Sequence, residues 1–397
     1  MKLPEASWRR RSGLPVLLEV LGADQGETRF VGGCVRDTLL ELEVNDVDLA
    51  TRLAPDEVIR RLEQAAIKAV PTGLAHGTVT AVLAGRPIEV TTLRRDVSTD
   101  GRRATVAYTQ DWQEDAARRD FTINALGADP GSSEIFDYFG GLDDLRARRV
   151  RFIGDAEVRI AEDHLRILRF FRFHARFGAG DPDEGGLAAC ARRANDLMAL
   201  SRERIADELL KLLALPDPGK TVSLMIAHGI LKPVLPEIES AERLGRLVAA
   251  ERESGIAPEP IRRLASLLPV DQSIAASVAG RLRLSKRASA RLISAADPAL
   301  DDPPVLAYRI GSEQAVDRFL LHADDRPPLA ALQTWKHPRL PVGGGDLIAM
   351  GLPAGPAVAK ALQAVEEDWV RSGFSENREE VLVMARRQVD EALRSSQ

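Results

Sequence analysis

The hydrophobic pattern of the sequence changes near residue 150, and this change limits the folds that the chain can adopt. Before it, short runs rich in β-branched residues predict strands, and 55–66 predicts a helix with proline in its first turn. The predicted strands are 27–31, 46–51, 77–85, 86–93 and 104–109. Beyond residue 150 only helical periodicity is found, as in 158–177, 202–215 and 356–372. The sequence therefore predicts an α+β fold, in which a small mixed sheet near the N-terminus precedes an all-helical remainder.

Composition places the chain among ordinary globular proteins. Hydrophobic residues form 45% and charged residues 28% of its 397 residues. No apolar run approaches the roughly 18 residues of a membrane span, and residues 1–15 lack the apolar core of a secretory signal. The two cysteines, Cys34 and Cys190, are too few for a disulfide framework and are expected to be free thiols. We therefore predict a cytoplasmic protein without a membrane partner.

The charge distribution reverses locally. The whole chain carries a net charge of −5, which does not suggest a nucleic-acid binder. Between Arg146 and Arg176, however, nine arginines stand against four acidic residues. This stretch is a predicted docking site for a polyanion.

The segment from Phe30 to Thr51 predicts a site for a metal ion and a triphosphate. Gly32 and Gly33 lack a Cβ, so the backbone can approach a phosphate closely at the start of the following helix. Asp46 and Asp48, placed on one strand, would point to the same face and could hold a hard ion such as Mg²⁺. The glycine pair or the two aspartates alone would also fit a plain turn or bend, so the prediction rests on their occurring together in this order.

A third carboxylate is needed if two metal ions are to flank a reacting phosphorus. Glu89, in the alternating strand 86–93, is the candidate. A solvent-facing strand glutamate is the alternative interpretation.

Several segments together resemble one protein family. They are 32–37 (GGCVRD), 46–48 (DVD), 72–79 (TGLAHGTV), 117–126 (ARRDFTINAL) and 162–173 (EDHLRILRFFRF). In this order they resemble the motifs of class II tRNA nucleotidyltransferases and bacterial poly(A) polymerases, within the DNA polymerase β-like superfamily. Residues 343–362 are similar to the Gly-rich loop and helix near the C-terminus of bacterial CCA-adding enzymes.

The resemblance implies a division of the chain and a role for each part. It implies a polymerase β-like nucleotidyltransferase head (1–145), a helical neck for base recognition (146–215), a helical body (216–335) and a tRNA-binding helical tail (336–397). The implied reaction adds C, C and A to the tRNA 3′ end from CTP and ATP without a nucleic-acid template. Two Mg²⁺ ions are the implied cofactors, and pyrophosphate is released.

The resemblance also implies roles for individual residues. The implied metal-binding and catalytic residues are Asp46, Asp48 and Glu89, although many superfamily members have aspartate at the position of Glu89. The implied triphosphate-binding residues are Gly32, Gly33, Arg36 and Arg169. The implied ribose-binding residues are Asp120 and Arg119, and the implied base-recognition residues are Asp163 and Arg166.

The last pair can be tested against hydrogen-bond chemistry. On one helix, either Glu162 or Asp163 could meet Arg166, being four and three residues away. Arg166 offers only donors and Asp163 only acceptors, so together they match cytosine and adenine but oppose guanine and uracil. The alternative is a surface salt bridge.

Other functions within and outside the family stay open. Residues 93–106 resemble the flexible loop of complete CCA-adding enzymes, which argues against CC-only or A-only addition, although a plain β-hairpin is the alternative. After the two aspartates, 49–58 (LATRLAPDEV) lacks the Gly-Arg-rich continuation that we associate with poly(A) polymerases. A non-catalytic tRNA-binding protein would not need all three carboxylates.

Overall fold

The runs rich in β-branched residues form a mixed sheet in the N-terminal part of the molecule. The computed structural model describes residues 1–100, 103–324, 328–375 and 377–394, without the side chains of 96–100 and 103–106. Its strands are β1 (Thr28–Val31), β2 (Asp48–Thr51), β3 (Lys68–Gly73), β4 (Thr78–Leu83), β5 (Arg86–Thr92), β6 (Arg94–Asp100), β7 (Arg103–Tyr108), β8 (Gly127–Ala128) and β9 (Ile135–Phe136). The sequence patterns located each predicted strand and missed β3, β6, β8 and β9.

The sheet is mixed because one pair of central strands runs parallel. Seven strands follow the order β3-β4-β5-β2-β1-β8-β9. β2 and β5 are parallel, and the other neighbours are antiparallel. This single parallel pairing brings the start of β2, which carries Asp48, beside Glu89 of β5.

Strands β6 and β7 form a separate two-stranded antiparallel hairpin. It contains the loop that the sequence analysis placed at 93–106. The described backbone therefore matches the plain hairpin alternative, while residues 101–102 lie outside the described residues. A role for this loop in complete CCA addition stays a prediction.

The chain divides into two units, residues Met1–Ile238 and Glu239–Gln397. The helices of the first are α1 (Leu14–Val20), α2 (Gly33–Leu39), α3 (Pro55–Gln64), α4 (Trp112–Ala117), α5 (Gly141–Arg146), α6 (Ala156–Glu162), α7 (Arg166–Phe177), α8 (Glu184–Arg192), α9 (Arg202–Leu213) and α10 (Gly219–Ala227). Those of the second are α11 (Glu242–Glu253), α12 (Pro260–Leu267), α13 (Gln272–Arg281), α14 (Lys286–Ala295), α15 (Pro303–Ile310), α16 (Ser312–His322), α17 (Ala330–Gln333), α18 (Gly344–Ala349), α19 (Pro356–Arg371) and α20 (Arg378–Arg394). The α+β class is confirmed, and the finer division into head, neck, body and tail stays a prediction.

The continuous helix predicted over 158–177 is wrong, because the chain bends between α6 and α7. Asp163 adopts an extended conformation directly after Glu162, and α7 starts at Arg166. The carboxylate of Asp163 accepts a hydrogen bond from the backbone N–H of Leu165 at 3.1 Å. An aspartate side chain that bonds the backbone two residues on competes with the helix and ends it here.

Phenylalanines join α7 to the segments that precede it. Phe121 lies 5.0 Å from Phe152 and 5.1 Å from Phe173 between ring centroids. Phe152 stacks on Phe170 at 5.4 Å, with their planes 10° apart. Gly186 of α8 gives this cluster room, since a Cβ there would come within 2.8 Å of the Phe170 ring. The aromatic cluster therefore sets how α7 packs on the sheet-bearing part of the unit.

Described residues of the second unit form apolar clusters. One includes Leu247, Phe319 and Leu332 from α11, α16 and α17, and the other includes Trp369 and Val381 from α19 and α20. This unit also has buried charge, since the fully buried α12 arginines, Arg262 and Arg263, pair with Glu251 of α11. Charges at this depth are tolerated only when they are paired.

Two predictions from composition can be compared with the structure. Cys34 and Cys190 are buried free thiols, as expected. Among the described residues, no helix combines the length and apolar character that crossing a membrane requires.

Replacing Phe170 by alanine tests the aromatic cluster. The ring is fully buried, so we expect the free energy of unfolding to fall by about 3–5 kcal/mol. Urea denaturation followed by far-UV circular dichroism measures this. Met198→Ala, at a side chain that is 58% exposed, is the control and should change stability by less than about 0.5 kcal/mol. Equal losses in the two variants would contradict the role given to the cluster.

Candidate active site

One cleft of about 590 Å³ in the first unit collects nearly all side chains that the sequence analysis singled out. The turn into α2, the approach to β2, the segment after α4 and the start of α7 contribute to its walls. The lining residues are Gly32, Gly33, Arg36, Asp46, Asp48, Arg118, Arg119, Asp120, Asn124, Asp163, Arg166, Arg169 and Phe173. Ten of the eleven predicted site residues belong to this set, and Glu89 is the exception.

Two of the three predicted carboxylates lie side by side on neighbouring strands. Asp48 begins β2 and pairs in register with Glu89 of the parallel strand β5, which places both side chains on the same face of the sheet. Asp46 lies two residues before β2, in a segment without regular secondary structure. The expectation that both aspartates belong to one strand is therefore wrong, although both line the cleft.

The carboxylates repel one another. Burial, together with the charges of Glu89 and Asp46, raises the pKa of Asp48 to about 6, and Arg119 opposes the rise. Protons would therefore compete with a cation for Asp48 as the pH falls through 6. A bound cation would relieve the repulsion, so the donor set suits a hard divalent ion.

Within the described part of the chain, no three His, Cys, Asp or Glu side chains form a ready-made metal cage. Mg²⁺ fits such an arrangement, because it commonly takes one or two carboxylates and completes its coordination shell with water and substrate phosphates. Asp46 and Asp48 are the carboxylates that line the cleft, and Glu89 stands beside Asp48.

The glycine pair makes room for an arginine. Gly32 has φ +70°, a left-handed conformation that disfavours other residues. A Cβ at Gly32 would also come within 2.9 Å of Nη1 of Arg119. Glycine is therefore required both for the turn into α2 and for the position of Arg119 in the cleft.

Arg36 is buried beneath this turn and is held on several sides. It donates to the carboxylate of Asp37 and to the side-chain oxygen of Asn124, and it lies 4.1 Å from the centre of the Phe177 ring. Burial lowers its pKa, an effect that Asp37 opposes. The structure thus shows Arg36 as a fixed positive charge in the wall of the cleft.

Asp120 is joined to α7 through an ion pair. Arg169 approaches one oxygen of its carboxylate with Nε at 2.7 Å and Nη2 at 2.6 Å. The other oxygen accepts from Asn124 and from the backbone of Phe121, both at 2.9 Å. Burial alone would raise the pKa of Asp120, but Arg169 and these hydrogen bonds lower it below its ordinary value. A ribose hydroxyl bound to Asp120 would have to replace one of these donors.

Arg119 is held more loosely than its neighbours. Its closest described hydrogen bonds are 3.4 Å to Asp115 and 3.5 Å to the carbonyl of Asn124. Its side chain therefore reaches the cleft with donor capacity left for a ligand.

The proposed base-recognition residues lie together but do not pair with each other. Arg166 donates to Glu162, four residues earlier. Asp163 instead binds Arg204 of α9, with Oδ2 at 2.8 Å and Oδ1 at 3.1 Å from its Nη2. The bend between α6 and α7 explains why the two side chains do not pair, because Asp163 no longer lies one helical turn from Arg166.

Arg166 also connects α7 to the segment that follows α4. It donates to the backbone carbonyl of Arg118 at 2.9 Å and to that of Arg159 at 2.8 Å. Arg159 in turn donates to the carbonyl of Ala117 at 2.9 Å. Three of the five N–H groups of Arg166 thus have described protein acceptors, and two are left for a ligand.

Helix α9 supplies partners that sequence reasoning missed. Arg204 binds Asp163, and Glu208, four residues later on the same face, binds Arg172 at 2.6 Å. The four-residue spacing was visible within 202–215, but the partners lie 41 and 36 residues away along the chain. Asn124 was missed for a similar reason, since it stood within a matched motif without a recognised role.

Family models match two parts of the chain. Residues 28–151 match a model described as "Poly A polymerase head domain". Residues 182–242 match a model described as "Probable RNA and SrmB- binding site of polymerase A". The first match covers the sheet, and the second covers α8, α9 and α10.

Whole-chain relatives extend these matches. The mitochondrial CCA tRNA nucleotidyltransferase 1 of Mus musculus is 36% identical over 405 residues, covering 96% of this chain and 92% of the relative. The CCA-adding enzyme of Oceanobacillus iheyensis is 41% identical over 212 residues, which cover 53% of this chain and 52% of that protein.

A solved structure shares the fold along nearly the whole chain. The crystal structure of the Bacillus stearothermophilus CCA-adding enzyme in complex with CTP is 28% identical, with a TM-score of 0.78, covering 97% of this chain and 100% of that one. The motifs, the matched head model and the full-length relatives agree. The chain belongs to the class II tRNA nucleotidyltransferase and poly(A) polymerase family.

Proposed function

We propose that this protein is a CCA-adding tRNA nucleotidyltransferase. It adds C, C and A in turn to the tRNA 3′ end from CTP and ATP, without a nucleic-acid template, and releases pyrophosphate. The observation that carries the proposal is the single cleft in which the carboxylates of the head meet Asp163 and Arg166 of the neck. The relatives that match most of the chain carry the same activity in their names.

The carboxylates would hold divalent metal. Asp46 and Asp48 line the cleft, and Glu89 is in register with Asp48, so the three would share two Mg²⁺ ions and the substrate phosphates would complete the coordination. When bound, the metal lowers the pKa of the primer 3′-hydroxyl and neutralises charge on the leaving pyrophosphate. Asp48 gains most from this charge, because burial and its neighbours already disfavour its ionised form.

The arginines of the cleft would orient the nucleotide. Gly32 and Gly33 let the triphosphate approach the backbone, and Arg36 supplies a fixed positive charge beside them. Arg119, which is loosely held, would reach the ribose or the phosphates together with Asp120. Arg169, bound to Asp120, would link recognition of the sugar to recognition of the triphosphate.

Base selection would rest on hydrogen bonds from the protein itself. Arg166 has two N–H groups left to donate to O2 and N3 of cytosine or to N1 of adenine. Asp163, oriented by Arg204, would accept from the exocyclic amino group of either base. Guanine and uracil present a donor where Arg166 donates and an acceptor where Asp163 accepts, so both are disfavoured.

The tRNA would contact the helical regions beyond the cleft. Recognition there would be mostly of shape and phosphate, as is typical of A-form RNA, and therefore sensitive to salt. The cytoplasmic location stays a prediction, since the mouse relative is mitochondrial by name.

Primer extension tests the proposed function directly. Purified protein with Mg²⁺ receives tRNA transcripts that end before CCA, after C and after CC, with CTP and ATP supplied separately and together. We expect C addition to the first two transcripts, A addition to the third, and a stop at CCA. Long A tails would instead identify a poly(A) polymerase, and addition of only CC or only A would identify a split-function enzyme. Binding of tRNA without metal-dependent turnover would favour the non-catalytic alternative.

Asp46→Ala and Asp48→Ala test the metal assignment. Each should abolish nucleotide incorporation, because a ligand of the reacting metal is lost, while tRNA affinity in a filter-binding assay stays within about twofold. Asp24→Ala, an exposed aspartate of the head, is the control and should keep full activity. Turnover retained in either cleft variant would refute the assignment.

Asp163→Ala and Arg166→Ala test base selection. Each should lower the preference for CTP and ATP over UTP and GTP by about tenfold or more, since a hydrogen bond to a charged group contributes about 1.5–3 kcal/mol. The ratios of kcat/KM for the four nucleotides measure this. Asp207→Ala, which removes an exposed α9 ion pair with Lys211, is the control. Unchanged discrimination against UTP and GTP would contradict the hypothesis.

A further inference from the structure

The segment that carries Asp46 has little support from its own backbone. It joins α2 to β2 without regular secondary structure. Residues 43–46 make no backbone-to-backbone hydrogen bond within the described part of the chain. A segment of this kind holds a side chain in place only if other groups fix it.

Arg11 supplies hydrogen bonds to this segment from a distant part of the sequence. Its Nη2 donates to the carbonyl of Val44 at 2.8 Å and to that of Asn45 at 3.3 Å. Its Nη1 donates to the carbonyl of Asn45, also at 3.3 Å. The planar guanidinium therefore spans the two consecutive carbonyls that immediately precede Asp46.

The residues before Arg11 form a rigid support. Trp8 is buried, donates to Thr38 of α2 at 2.9 Å, and packs edge-on against Phe30 of β1 with centroids 4.8 Å apart. Arg9 donates to Ser133 at 2.8 Å, between β8 and β9. The N-terminal segment is thus anchored to β1 and to α2, the strand and the helix that flank the turn at Gly32.

Side-chain packing holds this segment only in part, since Val44 is buried whereas Glu43, Asn45 and Asp46 are exposed. A cavity of about 610 Å³ lies against the segment and is lined by residues that include Trp8, Arg11, Thr38 and Val44. In the described part of the chain, the carbonyls of Val44 and Asn45 have Arg11 as their hydrogen-bond donor.

We propose that Arg11 is a positioning residue that fixes the Asp46 segment for metal binding. This rests on the proposed function, in which Asp46 and Asp48 hold the divalent metal. Arg11 touches neither substrate nor metal, and it acts through the carbonyls of Val44 and Asn45. Loss of its hydrogen bonds would let Asp46 drift from Asp48 while the fold is kept.

Direct metal binding tests the proposal. Mn²⁺ binding to the full-length protein is measured by electron paramagnetic resonance, without substrate, for wild type, Arg11→Ala and Arg10→Ala. We expect Arg11→Ala to weaken Mn²⁺ binding by about tenfold, the lower end of the usual effect of groups that orient metal ligands. Arg10 is the matched control, because it is exposed and its described partner is the side chain of Glu5 at 3.7 Å rather than a carbonyl of the segment.

Kinetics separate positioning from a general loss of structure. In Arg11→Ala, kcat should fall and the Mg²⁺ requirement should rise, while KM for tRNA stays unchanged and thermal unfolding remains cooperative. Free guanidinium at millimolar concentration should restore part of the activity of Arg11→Ala, since the adjacent cavity admits it. Arg11→Lys, which keeps the charge but not the planar fork, should be intermediate and replaces the alanine variant if that one does not fold.

Each outcome points to a distinct conclusion. Mn²⁺ binding equal in wild type, Arg11→Ala and Arg11→Lys would overturn the positioning role. Wild-type Mn²⁺ binding by Asp48→Asn, measured in parallel, would overturn the metal site of the proposed function itself. Loss of Mn²⁺ binding in Asp48→Asn and its weakening in Arg11→Ala, with Arg10→Ala unaffected, would support both.

Discussion

The buried ion pair between Asp120 and Arg169 is the contact on which the cleft depends. A carboxylate at this depth is strongly destabilising without its partner, by about 3–5 kcal/mol when one member of a buried pair is removed. The packing that keeps Arg169 on Asp120 therefore also determines how α7 lies against the sheet. Two further arginines, Arg159 of α6 and Arg166 of α7, bind the segment before Asp120, since they donate to the carbonyls of Ala117 and Arg118. The segment before Asp120 is thus held at Ala117 and Arg118.

This arrangement would link the two proposed kinds of recognition. The residues assigned to the ribose lie on the segment that the neck holds, and the residue assigned to the base, Arg166, is one of those holding it. A shift of α7 would therefore move the base-recognition and sugar-recognition groups together. The aromatic contacts of Phe121 with Phe173 lie at the same junction and make independent movement of the two parts costly.

Carboxylates and arginines both line the cleft, and Arg119 offsets part of the repulsion around Asp48. Asp46 and Asp48 stand on the head side, whereas Arg166 and Arg169 come from α7. Burial and like charge raise the pKa of Asp48, an energetic cost that stability alone does not explain. Such a cost is expected where a protein keeps carboxylates ready for a metal ion, and it is offset when the ion binds.

Local patterns in the sequence were sufficient to predict the α+β class, most strands of the sheet, the glycine pair and the two aspartates, whereas the family resemblance implied most of the other residues that line the cleft. Strand alternation, glycine conformation and motif order are properties of neighbouring residues, so they can be recognised without coordinates. The bend at Asp163 was not predicted, because helical periodicity continues across it. The register of Glu89 against Asp48, the bond from Arg204 to Asp163 and the reach of Arg11 to Val44 were decided by tertiary structure. Each joins residues between 33 and 41 positions apart, and which of them meet depends on how the strands and helices pack rather than on local sequence.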